Sequence, residues 1–175
     1  DRVLHGGRVI PERGSWIEIG VTNKDILVVR IDQSSKIPST IFLRAMDPAY
    51  GTTEQILRLF YPTKKVPLKK LTPTMWTVHP IVDEETGEII VKAGAQISDK
   101  VSLVQAAYTK PKAKNTKTKA KKTKLSSVEI EVIDEVRDTI ILNTLAEDDC
   151  QSHEQALLKF YMRLRPGNPP NEEKA

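Results

Sequence analysis

Three histidines are the residues of this chain best suited to acid–base chemistry. His5, His79 and His153 lie far apart in the sequence and fall in different predicted elements, so we interpret each as a surface or packing residue. The sequence also has no phosphate-binding loop, no dinucleotide-binding glycine pattern and no nucleophile elbow. We therefore predict no catalytic residue in this chain.

Two acidic clusters could in principle attract a divalent cation. The first, Asp83-Glu84-Glu85 with Glu88, lacks the alternating ligands and central glycine of a calcium loop and is typical of a solvated hairpin turn. The second, Glu147-Asp148-Asp149, precedes Ser152, where negative charge favours a helix N-terminus. The single cysteine, Cys150, excludes an internal disulfide and a multi-cysteine metal site. We predict no metal site.

Basic residues supply the remaining chemistry, which is anion binding. Eight of the 27 Lys and Arg residues lie in residues 110–124, so the net charge of +4 becomes 19 − 23 = −4 outside this lysine tract. The tract has no apolar periodicity and is expected to be disordered. It could hold phosphates in a salt-dependent way, but it has no aromatic residue for base stacking. The alternative is a solubilising loop.

The first 60 residues have the pattern of a hairpin followed by two short helices. Trp16, Ile17, Ile19 and Val21 alternate, and a β-branched run, 26–31, follows a polar turn, which predicts two antiparallel strands over 15–31. By this pattern Trp16 is a core aromatic. Pro38 starts a helix that ends at Asp47-Pro48. Thr52 and Gln55 form a capping-box pattern that starts the second helix.

An inserted module is predicted at 72–137, after a Lys- and Pro-rich connector at 63–73. Its expected elements are a hairpin of 76–82 with 89–91, a short helix capped by Ser98, and a strand at 128–133 with one solvated acidic face. The remaining domains are 1–71 and 138–175, which form the first and second parts of the main domain. The fold class is therefore α+β, with short helices and antiparallel strands carrying a small β-rich insertion.

The last helix should begin at Ser152, with Gln155 in a second capping-box pattern, and end at a rigid tip. The tip is Arg165-Pro166-Gly167-Asn168-Pro169-Pro170. Prolines limit backbone freedom, so a protruding loop of this composition keeps its shape without a core around it. Without other motifs, a helix stop and linker would be the preferred interpretation.

Four motifs together resemble the lobe domain of the bacterial RNA polymerase beta subunit. They are Ile10-Pro11-Glu12-Arg13-Gly14-Ser15-Trp16, Val29-Arg30-Ile31-Asp32, Lys36-Ile37-Pro38 and the run from Arg163 to Pro170. The resemblance covers nearly the whole chain and is weakest across the lysine tract. It implies a fragment of a much longer subunit, as does a first residue that is Asp1 and not Met.

The resemblance also implies site residues. Arg8, Arg13 and Trp16 would lie on the side of the lobe that faces downstream DNA and the non-template strand, where guanidinium groups hold phosphates and an indole stacks on an unpaired base. Arg30 and Lys36 are further DNA-binding candidates. The tip at Arg165, Pro166, Gly167, Asn168, Pro169 and Pro170 is similar to the family's gate loop, and Arg165 is its DNA-binding candidate.

One departure from the family weakens the expected phosphate contacts. Many members have three arginines between the Arg-Ile-Asp and Lys-hydrophobe-Pro elements, whereas this chain has Gln33-Ser34-Ser35.

The resemblance implies a wall of the downstream DNA channel in a cytoplasmic, DNA-directed RNA polymerase. This fragment would have no activity and no cofactor of its own, because the Mg²⁺ of the nucleotidyltransferase is bound by another subunit. Expected partners are the beta prime and alpha subunits, a sigma factor and downstream DNA, with regulators on the insertion. No run of apolar residues is long enough to span a membrane.

A second hypothesis, from a different class, is a free-standing protein-interaction module. In that case the lysine tract would be a tether for nucleic acid or for an acidic partner.

Overall fold

The computed structural model describes residues 4–83, 85–109 and 127–167. The chain divides into two compact units, of which the first comprises Asp1–Phe60 with Arg137–Ala175 and the second comprises Tyr61–Val136. The second unit therefore begins earlier than the module predicted at 72–137. The lysine tract lies outside the described residues.

The first unit contains a four-stranded antiparallel sheet in the order β1-β2-β3-β4. Its strands are β1 (Gly6–Val9), β2 (Ile17–Val21), β3 (Leu27–Ile31) and β4 (Ile37–Pro38). The predicted hairpin is present as β2 and β3, with Ile17 opposite Ile31 and Val21 opposite Leu27. Strand β1 pairs with β2 and forms an outer edge of the sheet.

Four helices complete the first unit. They are α1 (Ser39–Met46), α2 (Thr53–Phe60), α4 (Ile140–Glu147) and α5 (His153–Leu164), and a 3-10 turn at Pro48–Tyr50 joins the first two. Helix α1 packs on α5, and both α1 and α4 pack on β3. The buried side chains include Val29 and Ile37 from the sheet and Ile41 and Ile141 from the helices. Burial of each such side chain contributes about 1.5–3 kcal/mol to folding.

The predicted helix starts in this unit are confirmed. The Thr52 amide donates to Gln55 Oε1 at 3.0 Å, and the Gln55 amide donates to Thr52 Oγ1 at 3.3 Å, which is a complete capping box. At α5 the Ser152 hydroxyl accepts from the Gln155 amide at 3.3 Å. Gln155 Oε1 accepts from the Gln151 amide at 2.8 Å, so this second box closes one residue earlier than the standard pattern.

In its described residues, the second unit has two small sheets and one helix, α3 (Val101–Thr109). One sheet has the order β5-β9-β6, formed by β5 (Lys64–Pro67), β6 (Trp76–Thr77) and β9 (Glu129–Ile133). The other is the hairpin of β7 (Ile81–Val82) and β8 (Ile89–Val91). Both sheets and α3 contribute to one apolar core, which includes Val66, Val91, Val104 and Val132. The α+β class is thus confirmed.

Several local predictions in the second unit are wrong. Residues 64–67 form a strand paired with β9 and not a connector, because Val66 is buried in the core. The expected strand 76–82 is interrupted: its start pairs with β9 and only its end pairs with β8. Pro80 lies at the break and cannot donate to a strand ladder.

Ser98 is not the predicted helix cap. It opens a 3-10 turn, Ser98–Lys100, and has a positive φ of 49°. The Ser98 amide donates to the Pro73 carbonyl at 2.9 Å. The preceding amide, of Ile97, donates to the Met75 carbonyl at 2.9 Å. Long-range hydrogen bonds, not a local side-chain cap, therefore fix this helix start. The acidic face of β9 is only partly solvated, because the side chain of Glu131 is 15% exposed.

Candidate functional site

One face of the four-stranded sheet carries a row of alternating charges. Arg8 of β1 lies directly opposite Glu18 of β2, and Glu18 lies directly opposite Arg30 of β3. Successive side chains of a strand point to opposite faces, so these three side chains share one face of the sheet. We call this row the charge ladder.

Arg8 is held firmly within the charge ladder. Its Nε donates to Glu18 Oε1 at 2.9 Å, and its Nη2 makes a second, shorter contact with the same oxygen. The guanidinium carbon of Arg8 also lies 4.5 Å from the centre of the Trp16 ring. Such a cation–π contact contributes about 0.5–1 kcal/mol at an exposed site. Arg8 is therefore engaged on both sides by groups of this chain.

Glu18 remains an anion under ordinary conditions. The hydrogen bond from Arg8 holds the pKa of its carboxyl below the usual value, and the charges of Arg8, Arg30 and Lys36 act in the same direction. The carboxylate therefore offsets part of the positive charge that surrounds it. No motif in the sequence marks Glu18, although counting residues along the predicted hairpin places it opposite Arg30.

Arg30 is much less engaged than Arg8. Its Nη1 lies 3.8 Å from Glu18 Oε2, which is a long ion pair. Its Nε is buried and has no hydrogen-bond partner among the described residues. A guanidinium has five N–H donors in a fixed geometry, and the side chain of Arg30 is 38% exposed, so its exposed N–H groups, though not the buried Nε, can reach an external acceptor.

A shallow basin of about 450 Å³ lies beside the charge ladder. Its lining residues are Gly6, Gly7, Arg8, Glu18, Ile19, Gly20, Val28, Arg30 and Lys36. The floor contains glycines, and the charged residues at its sides are three cations and one anion. This composition suits a negatively charged ligand.

Trp16 precedes β2 and is only half buried, so it is not the core aromatic that alternation alone predicted. Its position is fixed through the backbone. The Trp16 amide donates to Asp32 Oδ1 at 2.9 Å, and the Asp32 amide donates to the Trp16 carbonyl at 3.0 Å. Asp32 has a φ of 49°, in the left-handed region, where it leaves the strand. The two bonds hold the indole at the edge of the sheet.

The structure brings together four of the six predicted DNA-binding residues. Arg8, Trp16, Arg30 and Lys36 all belong to the charged face or its edge. Arg13 is exposed in the turn between β1 and β2, next to Gly14, whose φ is 106°.

Arg165 lies at the end of α5, and its amide donates to the Tyr161 carbonyl at 2.9 Å. Pro166 and Gly167 are exposed. The rest of the predicted gate-like loop, Asn168, Pro169 and Pro170, falls outside the described residues.

A cation from α5 reaches the loop that contains Gln33-Ser34-Ser35. Arg163 Nη1 donates to Ser35 Oγ. Ser35 immediately precedes Lys36, so a guanidinium lies close to the segment 33–35 even though the segment itself has no charge. No local sequence pattern predicts this contact, because Arg163 and Ser35 are distant in sequence.

Asp148, Asp149 and Cys150 offer possible metal-ligand atoms within 4.8 Å of one another. Asp148, however, is ion-paired with buried Arg44 at 2.9 Å, and Asp149 is paired with Lys159. Burial, together with the charges of both aspartates, raises the pKa of the Cys150 thiol to about 11. Because a metal ligand must be a thiolate, this cluster is better explained by its structural contacts.

Curated proteins with the same name match this chain over 99% or more of its length. A DNA-directed RNA polymerase subunit beta of Rhodopirellula baltica is 44% identical over 186 residues, which cover 100% of this chain. The chain is homologous to a segment of the DNA-directed RNA polymerase beta subunit. Subunits of the same name from Leptospira biflexa and an Anaeromyxobacter species are 33% and 30% identical over 99% of the chain.

The chain spans only 13% to 16% of the length of these beta subunits. The match is therefore to a small part of a long polymerase subunit. No protein-family profile matches the chain. In the part of the chain that the structure describes, no helix is long and apolar enough to cross a membrane.

Proposed function

We propose that this chain is the lobe of a bacterial RNA polymerase beta subunit and forms one wall of the downstream DNA channel. The observation that carries the proposal is the cationic, tryptophan-edged sheet face in a chain that is homologous to beta subunits along its full length. The surface is local, since the chain has a net charge of −4 outside the lysine tract. Outside the lysine tract, DNA contact is therefore confined to this face and to the tip of α5.

The face contributes positioning and no chemistry. Arg30 and Lys36 bind backbone phosphates, which fix the register of a nucleic acid without reading its sequence. Trp16 offers an exposed part of its indole to an unpaired base of the non-template strand, and such stacking contributes about 1–3 kcal/mol per base. Arg13, in the neighbouring turn, adds a further phosphate contact.

The tip that follows α5 acts as the gate-like loop of the channel. Arg165 and Pro166 are exposed at the start of this tip, and the proline limits backbone freedom. Arg163 ties the end of α5 to the loop before Lys36. In this proposal Arg165 narrows the entry for duplex DNA.

The chain works only as part of the assembled polymerase. Nucleotidyl transfer, with its Mg²⁺, belongs to another subunit, and the beta prime and alpha subunits and a sigma factor are the other protein partners. The complex acts in the cytoplasm.

The second unit provides a docking surface for transcription regulators. Val82 and Ile89 of its hairpin are 39% and 52% exposed, and a groove of about 350 Å³ is lined by polar residues that include Lys65, His79 and Glu131. Exposed apolar residues beside polar groups are typical of protein-binding surfaces.

Promoter opening by the whole polymerase tests the proposal. Trp16→Ala and Arg165→Ala should shorten the lifetime of the open complex, while nucleotide addition on a preformed primed scaffold stays nearly unchanged. Subunit assembly is measured first, because Trp16→Ala can cost a few kcal/mol of stability. Normal promoter opening by both assembled variants would contradict the proposal.

A further inference from the structure

The pairing of β2 with β3 ends at Trp16 and Asp32, which lie one position beyond the last pair of the two strands. At the turn of the same hairpin, the Thr22 amide donates to the Ile26 carbonyl at 2.9 Å. Hydrogen-bonded pairs recur at every second position of an antiparallel ladder. Counting from that pair, Trp16 and Asp32 occupy a position at which each amide is expected to donate to the carbonyl of the other residue.

One of these two expected backbone bonds is replaced by a side-chain bond. The Asp32 amide donates to the Trp16 carbonyl at 3.0 Å, as the ladder requires. The Trp16 amide donates to Asp32 Oδ1 at 2.9 Å. The carboxylate of Asp32 therefore takes the place of its own backbone carbonyl in the last hydrogen-bonded pair.

The replacement follows from the backbone conformation of Asp32. Its φ of 49° lies in the left-handed region, which few residues other than glycine adopt and in which Asp and Asn are the best tolerated. The chain turns here, and the Ser34 amide donates to the Ile31 carbonyl at 3.0 Å. The turn takes the backbone of Asp32 out of the ladder, and its short side chain completes the pairing.

The residue that this bond holds carries the indole at the edge of the sheet. The Arg8 guanidinium lies 4.5 Å from the centre of the Trp16 ring, and Arg8 Nε donates to Glu18 Oε1 at 2.9 Å. Two carboxylates therefore fix Trp16. Asp32 holds its backbone, and Glu18 holds the arginine that stacks on its ring.

We propose that Asp32 is a positioning residue that orients Trp16 for stacking on an unpaired base. Asp32 acts through the backbone of Trp16 and does not touch the nucleic acid. A group that is already fixed loses less conformational freedom on binding, so loss of the carboxylate should weaken stacking while the indole remains. This inference rests on the proposed function, which it deepens by naming what orients the stacking residue.

Two substitutions separate the carboxylate from the turn. Asp32→Asn keeps a side-chain oxygen as acceptor, and asparagine tolerates the left-handed conformation. Asp32→Gly adopts that conformation without steric cost but has no acceptor for the Trp16 amide. If Asp32 served only the turn, both variants would behave like the parent chain.

Asp25→Gly is the matched control. Asp25 has a φ of 57° in the turn at the other end of the same hairpin, so this substitution also removes a carboxylate from a left-handed residue. Urea unfolding of each variant, followed by circular dichroism, establishes that the fold is retained.

Fluorescence of Trp16 in the full 175-residue chain measures stacking. The chain has two tryptophans, so Trp76→Phe in every protein leaves Trp16 as the only one. The probes are a thymidine oligonucleotide and an abasic strand of equal length. Quenching by the first but not the second reports contact between a base and the indole, so phosphate binding elsewhere in the chain does not obscure it.

We expect Asp32→Gly to weaken this base-dependent quenching about fivefold in affinity, towards the low end of what base stacking contributes. Asp32→Asn and Asp25→Gly should titrate like the parent chain. Parent-like stacking by Asp32→Gly, an equal loss in Asp25→Gly, or quenching of the parent chain that does not depend on bases would each overturn the inference.

The inference and the proposed function can fail separately. If Asp32→Gly stacks normally while Trp16→Ala still shortens the open complex, the inference fails and the proposed function stands. If Asp32→Gly loses stacking while both Trp16→Ala and Arg165→Ala polymerases open promoters normally, the inference stands and the proposed function fails.

Discussion

Arg44 Nε donates to Asp148 Oδ2 at 2.9 Å in an ion pair whose two side chains are 1% and 0% exposed. The pair joins α1 to the end of α4, and so joins the two chain segments that form the first unit. Arg44 also donates to the Gly51 carbonyl at 2.6 Å and to Thr53 Oγ1 at 2.8 Å. Because each charge has hydrogen-bond partners, the pair is compatible with burial in the protein interior.

Removing one partner of this pair should strongly lower the free energy of unfolding. Asp148→Ala leaves the Arg44 guanidinium buried without its anion, and we expect a loss of about 3–5 kcal/mol in the free energy of unfolding. Urea unfolding followed by circular dichroism measures the loss. Lys64→Ala, which breaks the exposed pair of Lys64 with Asp134, is the control and should change stability by less than about 1 kcal/mol. Equal effects of the two substitutions would refute the structural role of the buried pair.

Cys150 should make stability fall at alkaline pH. Burial raises its pKa from 9.0 to about 11, so between these values the unfolded chain loses a proton that the folded chain keeps. The thiol therefore makes its full contribution to the free energy of unfolding below pH 9.0. That contribution declines by about 2–3 kcal/mol as pH rises toward 11.

Comparison with Cys150→Ala isolates this contribution, since other alkaline groups titrate in both proteins. Urea unfolding below and above pH 9.0 should show a flatter alkaline decline for the variant. Parallel pH profiles would mean that the thiol titrates normally in the folded chain.

Glu18→Gln should strengthen binding of single-stranded DNA. The substitution removes one negative charge from between two arginines, so the plot of log affinity against log salt concentration should steepen by about one. Fluorescence anisotropy at several salt concentrations measures the slope. Glu18→Asp keeps the charge and serves as the control. A slope that is unchanged or shallower for Glu18→Gln would show that Glu18 does not offset the neighbouring cations.

Local signals in the sequence identified much of the fold. The sequence pattern predicts Thr52 and Ser152 as helix caps because each hydroxyl accepts a hydrogen bond from an amide only three residues further along the chain. The hairpin of β2 and β3 followed from alternation alone. The sequence pattern wrongly predicts Ser98 as a helix cap. Its amide donates to the Pro73 carbonyl, and a local pattern cannot predict such a distant contact.

The candidate site was only partly predictable for the same reason. Arg8 and Trp16 were named from the family resemblance, but their stacking depends on the β1–β2 register. Arg163 reaches Ser35 only after α5 is packed on the first unit.

The second unit should fold by itself. Its first and last strands, β5 and β9, are paired, with Lys64 opposite Val132, so its two chain ends leave from adjacent positions. A chain of residues 61–136 should show the same amide NMR pattern as in the full protein. An unfolded spectrum of the isolated unit would contradict its independence.

A polymerase in which a short Gly/Ser linker replaces 61–136 should open promoters normally.

The most direct test of the DNA-facing role is photo-crosslinking within the assembled polymerase. A photoreactive amino acid is placed at Arg13, which is exposed in the turn between β1 and β2, and separately at Asp99, which is exposed in the second unit, as a control. In an open promoter complex, Arg13 should crosslink to downstream or non-template DNA, and Asp99 should not. Crosslinking of Arg13 to protein alone, in a polymerase that opens promoters, would contradict the assignment of this face to the DNA channel.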